Sequence, residues 1–366
     1  MKIGIDARLF GPKQGGLGRY IEQLIKHLEK IDLTNQYVLF FRKDNWNEFI
    51  PTNPNFEKKL ADTPWYGWRE QTHFLAIINA EKLDLMHFPH WNMPIFYHRP
   101  FIVTIHDLIM YHFPRAEAST HGQFIYWLKD SIHRFIIRSA CHRARQILTT
   151  SEFTKADIVK NLNIDPKKIT VTYQAPFEKI TPGKLPLTIK KPYILYVGNC
   201  YPHKNLPRLI EAWQQVERIN PQIHLVLVGR ENYFYRKLLQ SSEYKKCSRV
   251  IYLGYQDDTA LEAIYENASL YVFPSLYEGF GLPPLEAILR HIPVIASDTS
   301  CLPEILGDSA EYFDPADSIA MATKIIQLLN DTEKQKLLIN NGQKLLQKYS
   351  SDNLARQTLQ IYQKSG

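Results

Sequence analysis

Short apolar runs alternate with amphipathic helical patterns along the whole chain, and one irregular stretch cuts that alternation in two. The first set reads as strands at 2–6 (KIGID), 37–41 (YVLFF), 101–105 (FIVTI), 146–150 (QILTT) and 169–173 (ITVTY). Residues 18–31 place Ile21, Leu24, Ile25 and Leu28 on one helical face, and Ser151 is a plausible N-cap for a helix over 151–162. The second set supplies strands at 193–198, 224–229, 250–254, 269–274 and 293–297, a helix over 261–268 and two closing helical stretches. Between the sets, residues 175–192 hold four prolines, a glycine and four lysines with no apolar period, which reads as an interdomain linker. Alternation of this kind is the signature of βαβ units. The expected fold is therefore α/β: two doubly wound parallel-sheet domains facing across a cleft, where ligands of such sheets bind. The first domain is expected over 1–180 and the second over 193–350, with 181–192 joining them.

At 366 residues the chain is too long for a typical single core. Its 45% hydrophobic and 22% charged residues are ordinary for a globular protein, so neither disorder nor membrane embedding is expected. The net charge of +7 suits a phosphorylated ligand, an anionic membrane surface or nucleic acid. No arginine-rich tail or basic block is present, and nucleic acid is not expected as a partner. Cys141, Cys200, Cys247 and Cys301 lie far apart without a CxxC pair, which fits a reducing compartment. Charges at Lys2, Asp6 and Arg8 deny the N-terminus the apolar core of a signal peptide. No apolar run approaches the roughly 18 residues that span a bilayer. The expectation is a cytoplasmic protein.

The stretch FPSLYEGFGLPPLEAI (273–288) sets Glu278 and Glu286 around a turn rich in glycine and proline. Gly279 and Gly281 permit positive φ and close approach of a ligand, and Pro283 or Pro284 suits the start of a helix. The N–H groups of Phe280, Gly281 and Leu282 would then aim at a phosphate, with Glu278 before the turn and Glu286 in the first helical turn. A glycosidase pair would straddle one scissile bond; a turn lined with N–H groups between the carboxylates favours a nucleotide sugar instead. The plainer alternative makes Glu286 a partner of the helix dipole, worth about 0.3–1 kcal/mol, and leaves the glycines beside Glu278 unexplained. Lys204, after the strand at 193–198 and before a helix starting near Asn205, completes an anion site or is a solvated loop lysine.

In the first domain GPKQGGLGRY (11–20) resembles a dinucleotide fingerprint only weakly and reads as a flexible loop at the cleft edge, with Gly15 and Gly16 allowing close approach. His106-Asp107 follows a strand directly, where His106 would meet a sugar hydroxyl or be a buried histidine satisfied by backbone. Residues 121–146 mix aromatic and basic side chains, as an amphipathic helix on anionic lipid or as a core helix with a solvated basic face. No Asp-x-Asp, Walker loop, G-x-S-x-G elbow or zinc-spaced Cys/His cluster occurs.

EGFGLPPLEA, LYVGNCYPHKN, TIHD and GGLGRY, in this order over essentially the whole chain, resemble the retaining glycosyltransferases of family 4. The resemblance implies the GT-B architecture and a last helix, 351–366, crossing back to the first domain. It implies transfer of a hexose, first mannose from GDP-mannose, from a GDP- or UDP-linked donor to a glycan or lipid-linked acceptor, without cofactor or metal and with no protein nucleophile. Catalysis would then be positioning plus stabilisation of a departing diphosphate. By resemblance Glu278 contacts donor hydroxyls, the Gly279-Phe280-Gly281-Leu282 backbone holds the sugar and distal phosphate, and Glu286 holds the ribose. Lys204 neutralises the diphosphate, Gly15 and Gly16 close over it, and His106 lies at the reacting face. His106, Lys204 and Glu278 are the catalytic candidates, Asn199 is a further donor contact, and Asp107 and Tyr111 are acceptor contacts. Asn199 and His203 replace arginines frequent in the family, so Arg19 or a protonated His203 is expected to assist Lys204. Location at the inner face of a membrane is a further expectation. The alternatives are a sugar-nucleotide epimerase of the same fold and a catalytically inactive nucleotide-sugar-binding protein.

Overall fold

The computed structural model describes residues 1–115, 117 and 123–366, in two compact units. The first is built on a seven-stranded sheet of β1 (Lys2–Asp6), β2 (Gln36–Phe41), β3 (Phe56–Leu60), β4 (Leu85–Phe88), β5 (Phe101–Ile105), β6 (Ile147–Thr149) and β7 (Ile169–Val171), in the order β3-β2-β1-β4-β5-β6-β7. Every pairing is parallel; Ile3 lies beside Tyr37 on one side and Leu85 on the other. The strands carry apolar residues on both faces, as a sheet covered by helices on both sides requires. The sequence pattern does not announce β3 and β4: FEKKL is a charged edge, and LMHF is short and broken by a histidine.

The helix Gly15–Ile31 buries Ile21, Leu24, Ile25 and Leu28 in the core that also receives Leu354, Ala355, Ile361 and Tyr362 of the last helix, Ser351–Ser365. The hydroxyl of Tyr362 lies 2.7 Å from Nδ1 of buried His87, and Arg145 donates to the carbonyl of Ser365. The last helix therefore belongs to the first unit.

The second unit holds a six-stranded parallel sheet of β8 (Tyr193–Val197), β9 (His224–Val228), β10 (Val250–Tyr252), β11 (Leu270–Phe273), β12 (Val294–Ser297) and β13 (Ala310–Phe313). Its order is β10-β9-β8-β11-β12-β13. Both sheets reverse direction of winding beside their first strand, between β1 and β4 and between β8 and β11. In open α/β sheets the crevice at such a switch point is where ligands bind.

The expected domain limits need two corrections. The first unit ends its main body at Gln174, and the stretch read as a linker lies along the second unit. Gly183 N–H donates to the carbonyl of Thr259 at 2.9 Å, and Ile189 is buried, so backbone pairing and apolar burial fix that stretch. The described residues between His112 and Glu117 also group with the second unit.

Candidate active site

At the switch point of the second sheet, the loop after β8 and the loop after β11 are tied together. Asn205 adopts the left-handed conformation (φ 58°) and is the N-cap of the helix Leu206–Ile219. Its Nδ2 donates to the carbonyls of Pro274 (3.1 Å) and Pro315 (2.8 Å), and Leu276 N–H donates to the carbonyl of His203 at 2.7 Å. This clamp brings Lys204 to Glu278: Nζ lies 2.6 Å from Oε1, with side chains only 12% and 9% exposed. Lys204 Nζ also stands 5.1 Å from the ring centroid of Phe273, at the end of β11. The sequence marks Asn205 as the helix start but not as a clamp; the signal for its left-handed backbone is an asparagine directly before a helix-starting leucine and proline.

Glu278 N–H donates to Ser300 Oγ at 3.2 Å, which fixes the start of the turn. Gly281 has φ 95°, and a Cβ there would also come within 3.0 Å of Leu302, so only glycine fits without strain. It is the N-cap of the helix Leu282–Leu289, which has proline in its first turn. The first-turn N–H groups of a helix have no intrahelical acceptor and carry the positive end of its dipole. Phe280 is buried edge-on against Tyr349, and its carbonyl accepts from the Cys301 thiol at 3.2 Å. Glu286 lies beyond the first turn rather than in it, because the helix begins at Leu282. Its Oε2 accepts from the Tyr265 hydroxyl at 3.0 Å, so the simple dipole partnership does not describe it.

Half-buried Asn199 braces its own loop: Oδ1 accepts from Tyr201 N–H (3.1 Å), and its carbonyl accepts from the Tyr196 hydroxyl (2.8 Å). Without a ligand, the expected protonated His203 beside Lys204 is not what the structure holds. Burial, then the adjacent cations Lys204 and Arg115, push its pKa down to about 2, and the ring is neutral.

The chain matches the family model "Glycosyl transferases group 1" over residues 178–345 and the model "Glycosyltransferase Family 4" over residues 14–175. The chain belongs to glycosyltransferase family 4. An O-antigen chain mannosyltransferase B of Escherichia coli is 28% identical over 95% of each chain. Sucrose-phosphate synthase from Thermosynechococcus elongatus superimposes with a TM-score of 0.78 at 21% identity, over 100% of this chain and 98% of that one. Anabaena HepE, solved with UDP and glucose, gives 0.73 at 17% identity over 99% of each chain. These two likenesses establish the two-sheet GT-B fold.

In the first unit of this glycosyltransferase the expected glycine loop is instead structured. Pro12–Gln14 form one 3-10 turn, and exposed Gly15 and Gly16 open the helix Gly15–Ile31, with φ 65° at Gly15. Close packing falls on Gly18, where a Cβ would meet the carbonyls of Gly11 and Leu9. His106 follows β5, and both its ring nitrogens are engaged. Nε2 lies 2.8 Å from the carbonyl of Pro89, which only accepts, so Nε2 carries the proton. Nδ1 then accepts from Gln174 Nε2 at 3.1 Å. Burial lowers its pKa to about 4, leaving a neutral ring, edge-on to Tyr20. Asp107 Oδ1 accepts from Ile109 N–H (2.9 Å), and the Tyr111 hydroxyl donates to the carbonyl of Arg134 (3.1 Å). The first two residues of the aromatic and basic segment, His121 and Gly122, lie outside the described residues. The helix Gln123–Arg143 that follows leaves Phe124, Trp127, Leu128, Ile132 and Phe135 exposed, so this face is not core packing. Among the described residues no helix is long and apolar enough to cross a membrane.

Proposed function

We propose that the enzyme transfers mannose from a nucleoside-diphosphate donor, GDP-mannose first, to a hydroxyl of a glycan or lipid-linked acceptor, with retention and without a metal ion. The observation that carries this reading is the switch point between β8 and β11, where the Lys204–Glu278 pair stands beside the turn into the helix Leu282–Leu289. The similarity to an O-antigen mannosyltransferase supports mannose, and the absence of Asp-x-Asp supports metal independence. On donor binding, Lys204 exchanges part of its contact with Glu278 for the diphosphate, and Glu278 takes donor hydroxyls. The Gly279–Leu282 backbone receives the sugar and distal phosphate, and Glu286 the ribose. Leaving-group stabilisation by a positioned cation and N–H groups is the main catalytic term. By resemblance Gly15, Gly16 and Asn199 are assigned to the donor, His106 to the reacting sugar, and Asp107 and Tyr111 to the acceptor.

The test incubates the enzyme with GDP-mannose or UDP-linked hexoses, with and without glycan acceptors, and follows nucleoside diphosphate release. Acceptor-dependent release from GDP-mannose, unchanged by EDTA and giving the α-linked product by NMR, is expected. Preference for a UDP-linked sugar overturns the donor assignment, and EDTA loss rescued by Mg²⁺ overturns metal independence. Turnover without any acceptor points to an epimerase, and absence of release to an inactive binding protein.

A peripheral contact with anionic lipid is proposed for the helix Gln123–Arg143. At 100° per residue Phe124, Trp127, Leu128, Ile132 and Phe135 share one exposed face with the exposed cation Arg138. Co-sedimentation with phosphatidylglycerol vesicles, lost in Trp127→Ser/Phe135→Ser, is expected; equal sedimentation of the variant refutes it.

A further inference from the structure

The switch point of the first sheet contains a buried charge network that ends on two ring-bearing residues. Arg8, 1% exposed, follows β1; its guanidinium pairs with Asp6 Oδ2 at 2.7 Å and with Glu70 Oε1 at 2.7 Å, and lies 3.6 Å over the Phe74 ring. Such buried ion networks gain little stability over an apolar core, so their use is better sought in positioning. Glu70 has two outlets. Oε2 accepts from the N–H of Tyr66 at 3.1 Å, a residue held at φ 62° although it is not glycine. Strain of this kind persists where the surroundings enforce it and gathers at functional sites. Oε1 accepts from Asn92 Nδ2 at 3.0 Å.

The second outlet decides a tautomer. A carboxylate only accepts, so the Asn92 amide nitrogen must face Glu70, and Asn92 Oδ1 must face His90 Nδ1, 2.6 Å away. His90 Nδ1 therefore carries the proton, and Nε2 keeps a bare lone pair. Among the described residues Nε2 has no hydrogen-bond partner. Burial, with His106 nearby, lowers the His90 pKa to about 3, so the ring stays neutral. Around it Tyr66 stacks on Trp91 at 5.1 Å, and His133 stands edge-on to Trp91 at 4.2 Å. Tyr66, in the bend before the next helix, and Trp68, at that helix's start, are 51% and 79% exposed.

We propose that this edge of the first sheet is a saccharide-binding platform, in which His90 Nε2 accepts a hydrogen bond from a sugar hydroxyl and Tyr66 and Trp68 take the C–H face of the ring. Glu70 and Asn92 are positioning residues that set the tautomer and the Tyr66 backbone. The proposal deepens the reading above by naming the residues that meet a glycan acceptor, and rests on it for the acceptor's class. A neutral acceptor atom beside aromatic rings selects a hydroxylated, uncharged ligand rather than a phosphate.

The test uses the full chain without donor. Saturation-transfer NMR and tryptophan fluorescence follow a panel of disaccharides of mannose, glucose, galactose, rhamnose and N-acetylglucosamine. At least one is expected to bind, with affinity falling about tenfold in His90→Ala and in Tyr66→Ala, the scale of one hydrogen bond or ring contact. His90→Gln, which keeps an acceptor atom there, should recover part of the loss and guards against misfolding. Long-range ¹⁵N–¹H spectra should show Nε2 unprotonated in the parent and mixed tautomers in Asn92→Ala. No binding by any member, equal binding in the variants, or a protonated Nε2 overturns the platform. Intact disaccharide binding without GDP-mannose turnover counts against the donor reading alone.

Discussion

The two switch points share a topology and differ in electrostatic character. Between β8 and β11 a lysine–glutamate pair stands beside a helix N-terminus, and both the cation and the N–H groups suit a phosphate. Between β1 and β4 the charges are closed on one another: Arg8 is consumed by Asp6 and Glu70, and the residues beyond them are neutral imidazoles and aromatic rings. One crevice presents a cation and N–H groups, the other neutral imidazoles and aromatic rings. The same parallel sheet supports either because the ligand-facing groups lie in the loops after the strands, whose sequences vary without disturbing the sheet.

The largest loss is expected at Arg8. Arg8→Met leaves Asp6 and Glu70 buried without a counter-charge, which costs roughly 3–5 kcal/mol. A lower melting temperature and loss of saccharide binding are expected, with nucleoside diphosphate affinity nearly kept; an unchanged melt would show the network to be dispensable. Next in size, Glu278→Ala or Lys204→Ala should cut turnover at least ~100-fold, as for other positioned electrostatic groups. Each also leaves a buried partner unpaired, so thermal melts must accompany the rates, and Glu278→Gln tests the charge with the shape retained. Near-normal turnover in all three would remove the donor site from this crevice.

How much of this was legible differs between the units for one physical reason. The turn after β11 is local: Glu278, Gly281, the prolines and Glu286 fall within nine residues, and their spacing alone points to an N–H-lined turn. The Lys204 contact crosses 74 residues, but each partner lies in a recognisable strand-to-helix loop. The His90 network is different. Arg8 and Glu70 are 62 residues apart, Asn92 and Glu70 are 22 apart, and β4, which delivers His90 and Asn92, is too short and mixed to announce itself. His106 is conspicuous in the sequence because it follows a clear apolar strand, yet its ring is occupied internally. Pairing of buried polar groups is set by tertiary contact, which periodicity does not encode.

Acid sharpens the contrast. His87, fully buried between Tyr362 and Thr104, has its pKa lowered to about 3 by burial and then by His106. Unfolded, it binds a proton below about 6.5. Between pH 6.5 and 3 the unfolded chain therefore holds more protons, and stability rises with pH across that window. The contribution is complete above pH 6.5 and is lost progressively as pH falls, by about 2 kcal/mol for this one group on reaching pH 5. Urea denaturation at pH 7 and 5 measures it, and His87→Gln should flatten the slope. A slope unchanged in that variant would assign the acid sensitivity to other groups.

The smallest expected effect bears on whether each crevice positions its ligand-facing group through a buried partner. Glu286, like His90, has a buried hydrogen-bond partner that orients it: the Tyr265 hydroxyl, on the helix Asp258–Glu266, donates to Oε2 at 3.0 Å, as Asn92 in the same loop meets His90. If Glu286 holds the ribose, Glu286→Ala should weaken nucleoside diphosphate affinity about tenfold while turnover at saturating donor changes little, since a uniform binding contact is lost. Tyr265→Phe keeps the carboxylate and removes only its guide, so a loss of about threefold is expected by the same reasoning. Titration calorimetry with GDP and with guanine base separates the readings. The ribose role requires that both variants lose affinity for GDP and neither for the base. Equal GDP binding in Glu286→Ala would return this glutamate to a purely structural partnership with Tyr265.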